Sequence, residues 1–218
     1  MKAVVLFSGG LDSTVLAKQL IEEKTSVRLL SIDYGQIHEK ELEHSSLIAE
    51  ELNLPHRILT LPNLADILGG SSLTDPNIEL PEGHYAEESM KATVVPNRNM
   101  ILLALAAGYA LSVNFDTIAY AAHAGDHTIY PDCRPAFADA METALSLADW
   151  KNLDLYRPFV NLSKADLVKK GMELGAPLHL SWSCYAGRKL HCGKCGTCVE
   201  RKEAFAIAKV PDPTEYEA

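Results

Sequence analysis

The chain has 218 residues, of which 47% are hydrophobic and 22% charged; this is enough apolar material for one packed domain and argues against disorder. The formal net charge of -9 argues against a broad nucleic-acid interface, which needs a basic surface. The N-terminus shows no secretory signal pattern, and the longest apolar stretch, residues 100–113, predicts a buried helix because it is too short to span a bilayer. We therefore expect a cytoplasmic protein with no membrane partner.

The first predicted elements are a strand, a tight turn and a helix. A short apolar run at residues 4–7 is followed by Ser-Gly-Gly and then by an amphipathic helical pattern. A helix start binds anions because its first N–H groups are unpaired and its dipole is positive there. Gly9 and Gly10 would let a phosphate approach the backbone, and Asp12 predicts a bound Mg²⁺ that separates it from phosphate. Further hydroxyl donors are Ser8, Ser13 and Thr14. The alternative is a generic turn that binds nothing.

Two further strand patterns follow the first helix. Residues 27–34 and 56–61 are typical of buried strands, and residues 38–52 between them are typical of a helix. The order β-α-β-α-β predicts a parallel sheet with helices on both faces. Ligands of such sheets bind beyond the carboxyl ends of the strands, which would place Ser8 and Asp33 at the same edge.

The regular pattern stops between residues 66 and 96, where Gly, Pro and Ser are frequent. A loop of this length is usually functional or mobile, so the alternatives are a lid over the active site and a disordered surface excursion. Helices are then expected from the motif at 94–99 to about 114, at 136–148 and at 164–174, and strands at 117–122 and 153–158. Ser163 is expected to cap the last of these helices. The tail, residues 211–218, is expected to be frayed or docked on a partner.

Four of the five cysteines lie close together near the C-terminus, with the spacing C-x7-C-x2-C-x2-C. This spacing suits a closed tetrahedral zinc site in a reducing compartment rather than disulfides. A redox pair and an iron–sulfur cluster are the alternatives. A closed site leaves no position for substrate, so zinc would fold this segment and do no chemistry. The expected ligands are Cys184, Cys192, Cys195 and Cys198.

These patterns divide the chain into a phosphate-binding α/β domain at residues 1–180 and a zinc-binding segment with a C-terminal helix and tail at residues 181–218. The fifth cysteine, Cys133, stands apart. It is either a small buried hydrophobic residue or a residue on the substrate side of the site.

The string at residues 7–14, F-S-G-G-L-D-S-T, matches neither the Walker nor the dinucleotide pattern. It resembles the S-G-G-x-D-S motif of the PP-loop ATP pyrophosphatases. Later motifs narrow the resemblance: D-Y-G-Q at 33–36, V-P-N-R-N at 95–99, Y-P-D-C-R at 130–134 and the four cysteines. Together they resemble the 7-cyano-7-deazaguanine synthase family of queuosine precursor biosynthesis over nearly the whole chain. One departure is Asn97, where many relatives have Gly; Asn also tolerates a left-handed backbone.

The resemblance implies a fold and a reaction. The expected fold is α/β, a doubly wound, Rossmann-like parallel sheet of the adenine nucleotide alpha hydrolase type with a small C-terminal four-cysteine zinc-binding segment. The expected enzyme is an ATP-dependent carbon–nitrogen ligase that uses ATP, Mg²⁺ and Zn²⁺. It would convert 7-carboxy-7-deazaguanine and ammonium to 7-cyano-7-deazaguanine (preQ0) through adenylated carboxylate and amide intermediates. We expect a homodimer with no direct nucleic-acid partner.

The resemblance also implies site residues. The expected catalytic residues are Asp12, Ser13, Arg98 and Lys164. The expected ATP contacts are Ser8, Gly9, Gly10, Leu11, Asp12, Ser13, Thr14, Val15, Leu16, Ala17, Lys18, Asp33 and Tyr34. The expected substrate contacts are Asp126, Asp132 and Arg134. Plainer interpretations are surface cations for Arg98 and Lys164 and a helix cap for Asp132.

Aromatic residues and histidines near these motifs are further candidates. His123 and His127 could move protons or be structural. Trp182 and Tyr185 could stack on a flat heterocycle or pack over the zinc site.

Three other classes compete with this interpretation. A tRNA-modifying PP-loop enzyme, such as a thiolation enzyme or a lysidine-type ligase, would need basic surface or a reactive cysteine pair at the rim. A non-enzymatic binding module would not need the intact phosphate motif. A glutamine-fed synthetase would need an amidotransferase domain that this sequence does not show, so free ammonium is the expected nitrogen source.

Overall fold

The computed structural model describes residues 1–37, 40–61, 63–85 and 87–217. Its strands are β1 (Lys2–Leu6), β2 (Ser26–Asp33), β3 (His56–Thr60), β4 (Thr117–Ala119) and β5 (Asp154–Tyr156). Its helices are α1 (Leu11–Glu22), α2 (Lys40–Glu51), α3 (Leu64–Ile67), α4 (Arg98–Ser112), α5 (Pro135–Leu147), α6 (Lys164–Leu174) and α7 (Gly196–Ala208). The strands form one parallel sheet in the order β3-β2-β1-β4-β5. The predicted doubly wound α/β fold is confirmed.

Helices cover both faces of the sheet because alternate residues of β1 point to opposite sides. Val4 shares a buried cluster with Leu103 of α4, and α5 packs in the same cluster. Val5 lies in the other cluster with Leu16 of α1 and Phe205 of α7, together with α2 and α6. The strand order reverses between β1 and β4, and this is the position where open α/β sheets bind ligands.

The described residues between β3 and α4 pack on the rest of the chain, unlike a disordered surface excursion. This segment contains α3 and a 3-10 turn, Glu88–Thr93, and its side chains Leu73 and Met90 are buried in the core. Backbone bonds fix it in place: the Ser72 N–H donates to the Ala92 carbonyl at 2.8 Å, and the Gly83 N–H donates to the Lys194 carbonyl at 3.0 Å. The segment therefore joins the core to the four-cysteine region.

The predicted long apolar helix is α4. The stretch Glu88–Ser112 meets a length and composition criterion for one membrane-spanning helix, but Pro96 separates the 3-10 turn from α4. The 15 residues of α4 extend about 22 Å, less than the roughly 30 Å of a hydrocarbon core. Its apolar face packs against the sheet, so α4 is a core helix. Asn97 at its start has the left-handed φ of 58° that Asn tolerates.

Other boundaries differ from the predicted ones. β4 and β5 have three residues each, about half of the predicted lengths. After Ala119 the chain leaves the sheet to line the cavity, and after Tyr156 it turns toward α5, where Arg157 pairs with Asp139. The predicted start of the second helix, His38, lies outside the described residues, and α2 begins at Lys40. Ser163 caps α6 as predicted, with its hydroxyl accepting from the Asp166 N–H.

The C-terminal tail docks on its own chain. The Glu217 N–H donates to the His191 carbonyl at 2.8 Å, and the Tyr216 hydroxyl donates to Asp212 at 2.5 Å. An ion pair between Arg188 and Glu217 adds to this contact. The tail therefore closes over the four-cysteine region.

Candidate active site

A cavity of about 240 Å³ opens beyond the carboxyl ends of β1, β2 and β4, at the predicted edge of the sheet. One wall, the turn side, consists of the turn after β1, the start of α1 and Lys164 of α6. A second part of the lining, the aromatic side, consists of Arg98 and the tyrosines Tyr34, Tyr85, Tyr120, Tyr130 and Tyr185. The cavity thus brings together the start of a helix and a set of flat rings.

The turn side exposes the start of α1. Gly10 is the N-cap and provides no side-chain cap, so the first N–H groups of the helix remain free for an anion. The hydroxyls of Ser13 and Thr14 donate back to the Gly10 carbonyl at 3.1 and 2.8 Å. These bonds hold the turn in shape without covering the helix start.

Gly9 is required by the approach of α2 to this turn. Its φ is +78°, and a Cβ there would lie 2.6 Å from the Ser45 nitrogen and 2.7 Å from the Glu41 carbonyl oxygen. The Gly9 carbonyl also accepts from the Trp182 N–H at 2.9 Å. We expected Gly9 to make room for phosphate; Gly9 is not among the residues that line the cavity, and the structure shows that it makes room for the α2 backbone.

Asp12 lies at the centre of a buried ionic cluster. Its Oδ2 is 2.6 Å from the Lys164 ammonium and 3.8 Å from Nε2 of His123. Its other oxygen, Oδ1, is buried and has no hydrogen-bond partner among the described residues. Burial would raise the pKa of Asp12, but the Lys164 ammonium and His123 lower it below its usual value. A buried carboxylate oxygen without a partner suits a hard cation such as Mg²⁺.

The Lys164 ammonium is shared between two carboxylates. In addition to its hydrogen bond to Asp12, it is within ion-pair distance of Oε2 of Glu200, at 3.4 Å and without hydrogen-bond geometry. Burial lowers the pKa of Lys164, but Asp12 and Glu200 outweigh this effect and raise it above its usual value. Lys164 is therefore a permanent cation at the edge of the cavity. Its plainer interpretation as a solvated surface charge does not fit its 13% side-chain exposure.

His123 completes the cluster from the loop after β4. Its Nδ1 accepts from the Gly125 N–H at 3.1 Å, so a neutral ring carries its proton on Nε2. That nitrogen faces Asp126 Oδ1 at 3.5 Å. Neither His123 nor His127 is among the residues that line the cavity, and His123 reaches the site through its contacts with Asp12 and Asp126.

The aromatic side combines one cation with several hydroxyls. Arg98, the first residue of α4, donates to the Tyr34 hydroxyl at 3.4 Å. The Tyr85 hydroxyl donates to Asp126 at 3.1 Å. Tyr120 is 4% exposed, and its hydroxyl has no partner among the described residues. This side could therefore bind a planar ring by stacking and recognise its polar edge through Asp126 and Tyr120.

Glu41 of α2 also lines the cavity. Burial raises the pKa of its carboxyl to about 7, although nearby Arg98 acts in the opposite direction.

Cys133 is buried in the lining of the same cavity, where Asn99 donates to its sulfur at 3.3 Å. Burial raises the pKa of this thiol above its usual value. Cys133 is thus buried and unreactive, as expected for a small hydrophobic residue. It also borders the cavity, as expected for a residue on the substrate side of the site.

Several of the expected site residues lie away from the cavity. Val15, Leu16 and Ala17 are fully buried in the core, and Lys18 pairs with Glu22 at 2.7 Å. Asp33 accepts from the Gly35 N–H at the end of β2. The side chains of these residues do not line the cavity, although the backbone of α1 leads directly to it.

Asp132 and Arg134 have structural contacts. Asp132 accepts from the Asn99 N–H at 3.0 Å and so caps α4 from another part of the chain. Arg134 is exposed, and its Nε donates to the His127 carbonyl at 2.8 Å. The side chain of Asp126, the third expected substrate contact, does line the cavity.

Some cavity residues were missed from the sequence. Glu41, Tyr85 and Tyr120 gave no motif that stood out. Glu200 does not line the cavity but contacts Lys164, which does; it was overlooked although it follows the last cysteine by two positions. Tyr130 was part of a quoted motif, but no role was assigned to it. The position of Tyr120 directly after a buried strand is the signal that could have identified it.

The four-cysteine region forms a candidate metal centre. The sulfurs of Cys184, Cys192, Cys195 and Cys198 all lie within 4.8 Å of one another, close to the spacing of about 3.8 Å that a tetrahedral zinc–thiolate site has. Backbone N–H groups donate to two of these sulfurs, for example Cys192 N–H to Cys184 at 3.3 Å. The donor set and the spacing fit zinc, and the cysteines are free thiols.

The fold and the site together define a doubly wound α/β protein with an uncapped helix start at its cavity and a four-cysteine cluster that could hold a metal ion. The chain belongs to the family described as Queuosine biosynthesis protein QueC, whose model matches residues 2–209. It is 52% identical to 7-cyano-7-deazaguanine synthase 1 of Mesorhizobium japonicum, covering 100% of this chain and 94% of the relative. It is also 52% identical to the 7-cyano-7-deazaguanine synthase of Methanoregula boonei, covering 100% of both chains.

Solved structures share the fold at low sequence identity. The NMN synthetase of Francisella tularensis has a TM-score of 0.53 and 16% identity, and the match covers 96% of this chain and 77% of that one. A predicted subunit of tRNA methyltransferase from Methanocaldococcus jannaschii has a TM-score of 0.50 and 18% identity, covering 79% and 75% of the two chains. These likenesses show the fold alone.

Proposed function

We propose that this enzyme converts 7-carboxy-7-deazaguanine and ammonium to 7-cyano-7-deazaguanine at the expense of ATP, and is thus a nitrile-forming carbon–nitrogen ligase. The observation that carries the proposal is the cavity itself: an uncapped helix start, the Asp12–Lys164 pair and a set of tyrosines line the same cavity. Family membership and the names of the relatives support the substrate.

The turn side would hold the phosphates of ATP. The N–H groups at the start of α1 would bind them, and the hydroxyl of Ser8 would add a donor. Lys164, and Arg98 from the aromatic side, would stabilise the charge that develops at the α-phosphate. Asp12 would hold Mg²⁺ through its unpartnered oxygen, and the ion would neutralise phosphate charge. Thr14 and Ser13 shape the turn through their bonds to Gly10.

The aromatic side would hold the deazaguanine ring. Its tyrosines offer flat surfaces for a heterocycle, and the Asp126 carboxylate can accept hydrogen bonds from ring N–H groups. The carboxyl group on the ring would then point to the turn side, because the cavity joins the two walls. The protein would act mainly by positioning the two reactants and stabilising charge.

The reaction would proceed through two adenylations. A carboxylate oxygen attacks the α-phosphorus and pyrophosphate leaves; ammonia then displaces AMP and gives the amide after losing a proton. The amide oxygen attacks a second ATP in the same way. The amide nitrogen loses its two protons, the carbon–oxygen bond breaks, AMP leaves and the nitrile forms.

The alternative, a tRNA-thiolation enzyme, is less consistent with the cysteines. Such chemistry needs a low-pKa thiol at the rim. In the part of the chain that is described, Cys133 is the one cysteine that lines the cavity, and burial raises the pKa of its thiol. The other four sulfurs are gathered in the candidate metal centre.

The test is incubation with ATP, Mg²⁺, ammonium and 7-carboxy-7-deazaguanine, followed by mass spectrometry. We expect AMP, pyrophosphate and the nitrile. ADP in place of AMP would contradict the adenylation scheme, and modification of added tRNA without nitrile formation would favour the alternative. Metal analysis should find one zinc per chain.

We also infer a cytoplasmic homodimer. Large apolar side chains are exposed after α5, where Leu147 is 79% and Trp150 103% exposed, and exposed apolar patches often mark subunit interfaces. Light scattering should give twice the mass of the 23.8 kDa chain.

A further inference from the structure

The helix that carries two of the four cysteines also supplies a carboxylate to the active site. Cys195 is the N-cap of α7, and Cys198 lies in its first turn. Glu200 follows on the same helix, and its Oε2 is 3.4 Å from the Lys164 ammonium. Its other oxygen is 4.0 Å from Nε2 of His123. One helix therefore joins the candidate metal centre to the Asp12 cluster.

The loop after β4 is shaped to admit this carboxylate. Gly125 does not have a positive φ, but a Cβ on it would lie 2.7 Å from Glu200 Oε1 and 2.8 Å from the His123 ring. Glycine is needed here for close approach rather than for backbone freedom. Glu200 is only 11% exposed, so its charge is buried against Lys164.

The rotation of α7 about its own axis is fixed next to Glu200. Arg201 has no solvent exposure and donates to the Ser181 hydroxyl at 2.9 Å and to the Leu178 carbonyl at 3.1 Å. It also pairs with Asp212 at 3.2 Å. With the two cysteines before it and this arginine after it, Glu200 has little freedom to leave the cluster.

Lys164 needs a second carboxylate beside it if Asp12 also binds a cation. Asp12 now holds the ammonium at 2.6 Å, but a carboxylate that also binds Mg²⁺ attracts a neighbouring ammonium less strongly. A buried ammonium needs a counter-charge to keep its position. Glu200, 3.4 Å from the ammonium, is placed to supply that charge.

We propose that Glu200 is a positioning residue that orients the Lys164 ammonium toward the α-phosphate, so that the four-cysteine segment completes the active site in addition to stabilising the C-terminus. The proposal rests on the proposed function, because it acts through Lys164. It extends the expectation that zinc here only folds the chain.

The first test compares Glu200→Gln with Glu203→Gln, which changes an exposed carboxylate on the same helix. We expect Glu200→Gln to lower kcat for AMP formation at least tenfold, to change KM for ATP less than twofold, and to retain one zinc per chain. Glu203→Gln should stay within twofold of the wild type. A kcat of Glu200→Gln within twofold of the wild type would overturn the proposal.

A double-mutant cycle with Lys164→Met separates positioning from a general structural role. If Glu200 acts through Lys164, Glu200→Gln should reduce kcat less than twofold further in the Lys164→Met background. Independent, multiplicative effects would contradict the proposal. Should Glu200→Gln fail to fold, Glu200→Asp keeps the charge and withdraws it by one methylene group, and the same cycle applies with an expected loss of three- to tenfold.

A readout that does not require turnover distinguishes this proposal from the proposed function. In crystals of Glu200→Gln with Mg²⁺ and a non-hydrolysable ATP analogue, we expect the Lys164 ammonium to lie more than 1 Å from its wild-type position or to lack density. An unchanged position would overturn the proposal. Absence of AMP formation by the wild-type enzyme would instead overturn the proposed function.

Discussion

The two walls of the cavity are built in different ways. The turn side uses consecutive residues after β1, with Lys164 and Glu200 added from distant helices. The aromatic side uses single residues from separate segments, such as Tyr34 after β2 and Tyr120 after β4. A helix start binds an anion through its backbone, so a short contiguous motif is sufficient for it. A slot for a planar ring requires side chains that only the complete fold brings together.

The first prediction removes the charge at the centre of the turn side. Asp12→Asn should lower kcat for AMP formation about 1,000-fold, or about 4 kcal/mol, because the amide weakens both the hold on Lys164 and the proposed Mg²⁺ site. The measurement is steady-state AMP release at saturating ATP.

Asp154→Asn is the matched control for this change. Asp154 is exposed at the opposite end of the sheet, at the start of β5, and its replacement should leave kcat within twofold. Full activity of Asp12→Asn would show that the turn side does not work through this carboxylate.

The second prediction concerns the backbone of the turn side. Gly9→Ala should destabilise the protein by about 3 kcal/mol: about 1–2 kcal/mol for a left-handed backbone with a Cβ, and the remainder for the contact with α2. Urea unfolding monitored by circular dichroism measures the effect.

Gly70→Ala separates the two contributions. Gly70 also has a positive φ, +89°, but a Cβ there would meet no atom within 4 Å. Gly70→Ala should therefore lower the free energy of unfolding by the cost of the left-handed backbone alone, about 1–2 kcal/mol. Equal losses for the two variants would mean that the approach of α2 to the turn is not tight.

The same difference between the walls decides what could be predicted from the sequence. The central strands and long helices were found because hydrophobic periodicity is a local property; β1, β2, α1 and α6 are examples. The phosphate-binding turn and the cysteine cluster were found because their residues are close together in the chain. The family resemblance rested on the same short motifs, and family membership confirms it.

What was missed depends on tertiary contacts. The segment before α4 is held by backbone bonds to partners as distant as Lys194, and no local pattern encodes such partners. An Asp before a predicted helix suggests a cap for that helix, whereas Asp132 caps α4 instead. Glu200 resembles any surface glutamate of a helix until α7 is packed against α6.

The last prediction addresses the aromatic side through pH. Burial raises the pKa of Glu41 from 4.5 to about 7. Between these values the unfolded chain ionises Glu41 while the folded chain keeps the proton, so the stability of the wild type should fall as pH rises from 4.5 to 7. Glu41→Gln cannot ionise, and it should therefore be more stable than the wild type by about 3 kcal/mol at pH 8 and equally stable at pH 4.

Glu43→Gln is the control, because Glu43 is exposed on the same helix and its replacement should change stability equally at both pH values. Urea unfolding of the three proteins at pH 4 and pH 8 gives the comparison. A gain for Glu41→Gln that is the same at pH 4 and pH 8 would mean that the aromatic side does not disfavour the carboxylate. A gain confined to high pH would show that this wall is apolar enough to keep a glutamate protonated, whereas the turn side keeps Asp12 ionised a short distance away, because Lys164 stands beside Asp12.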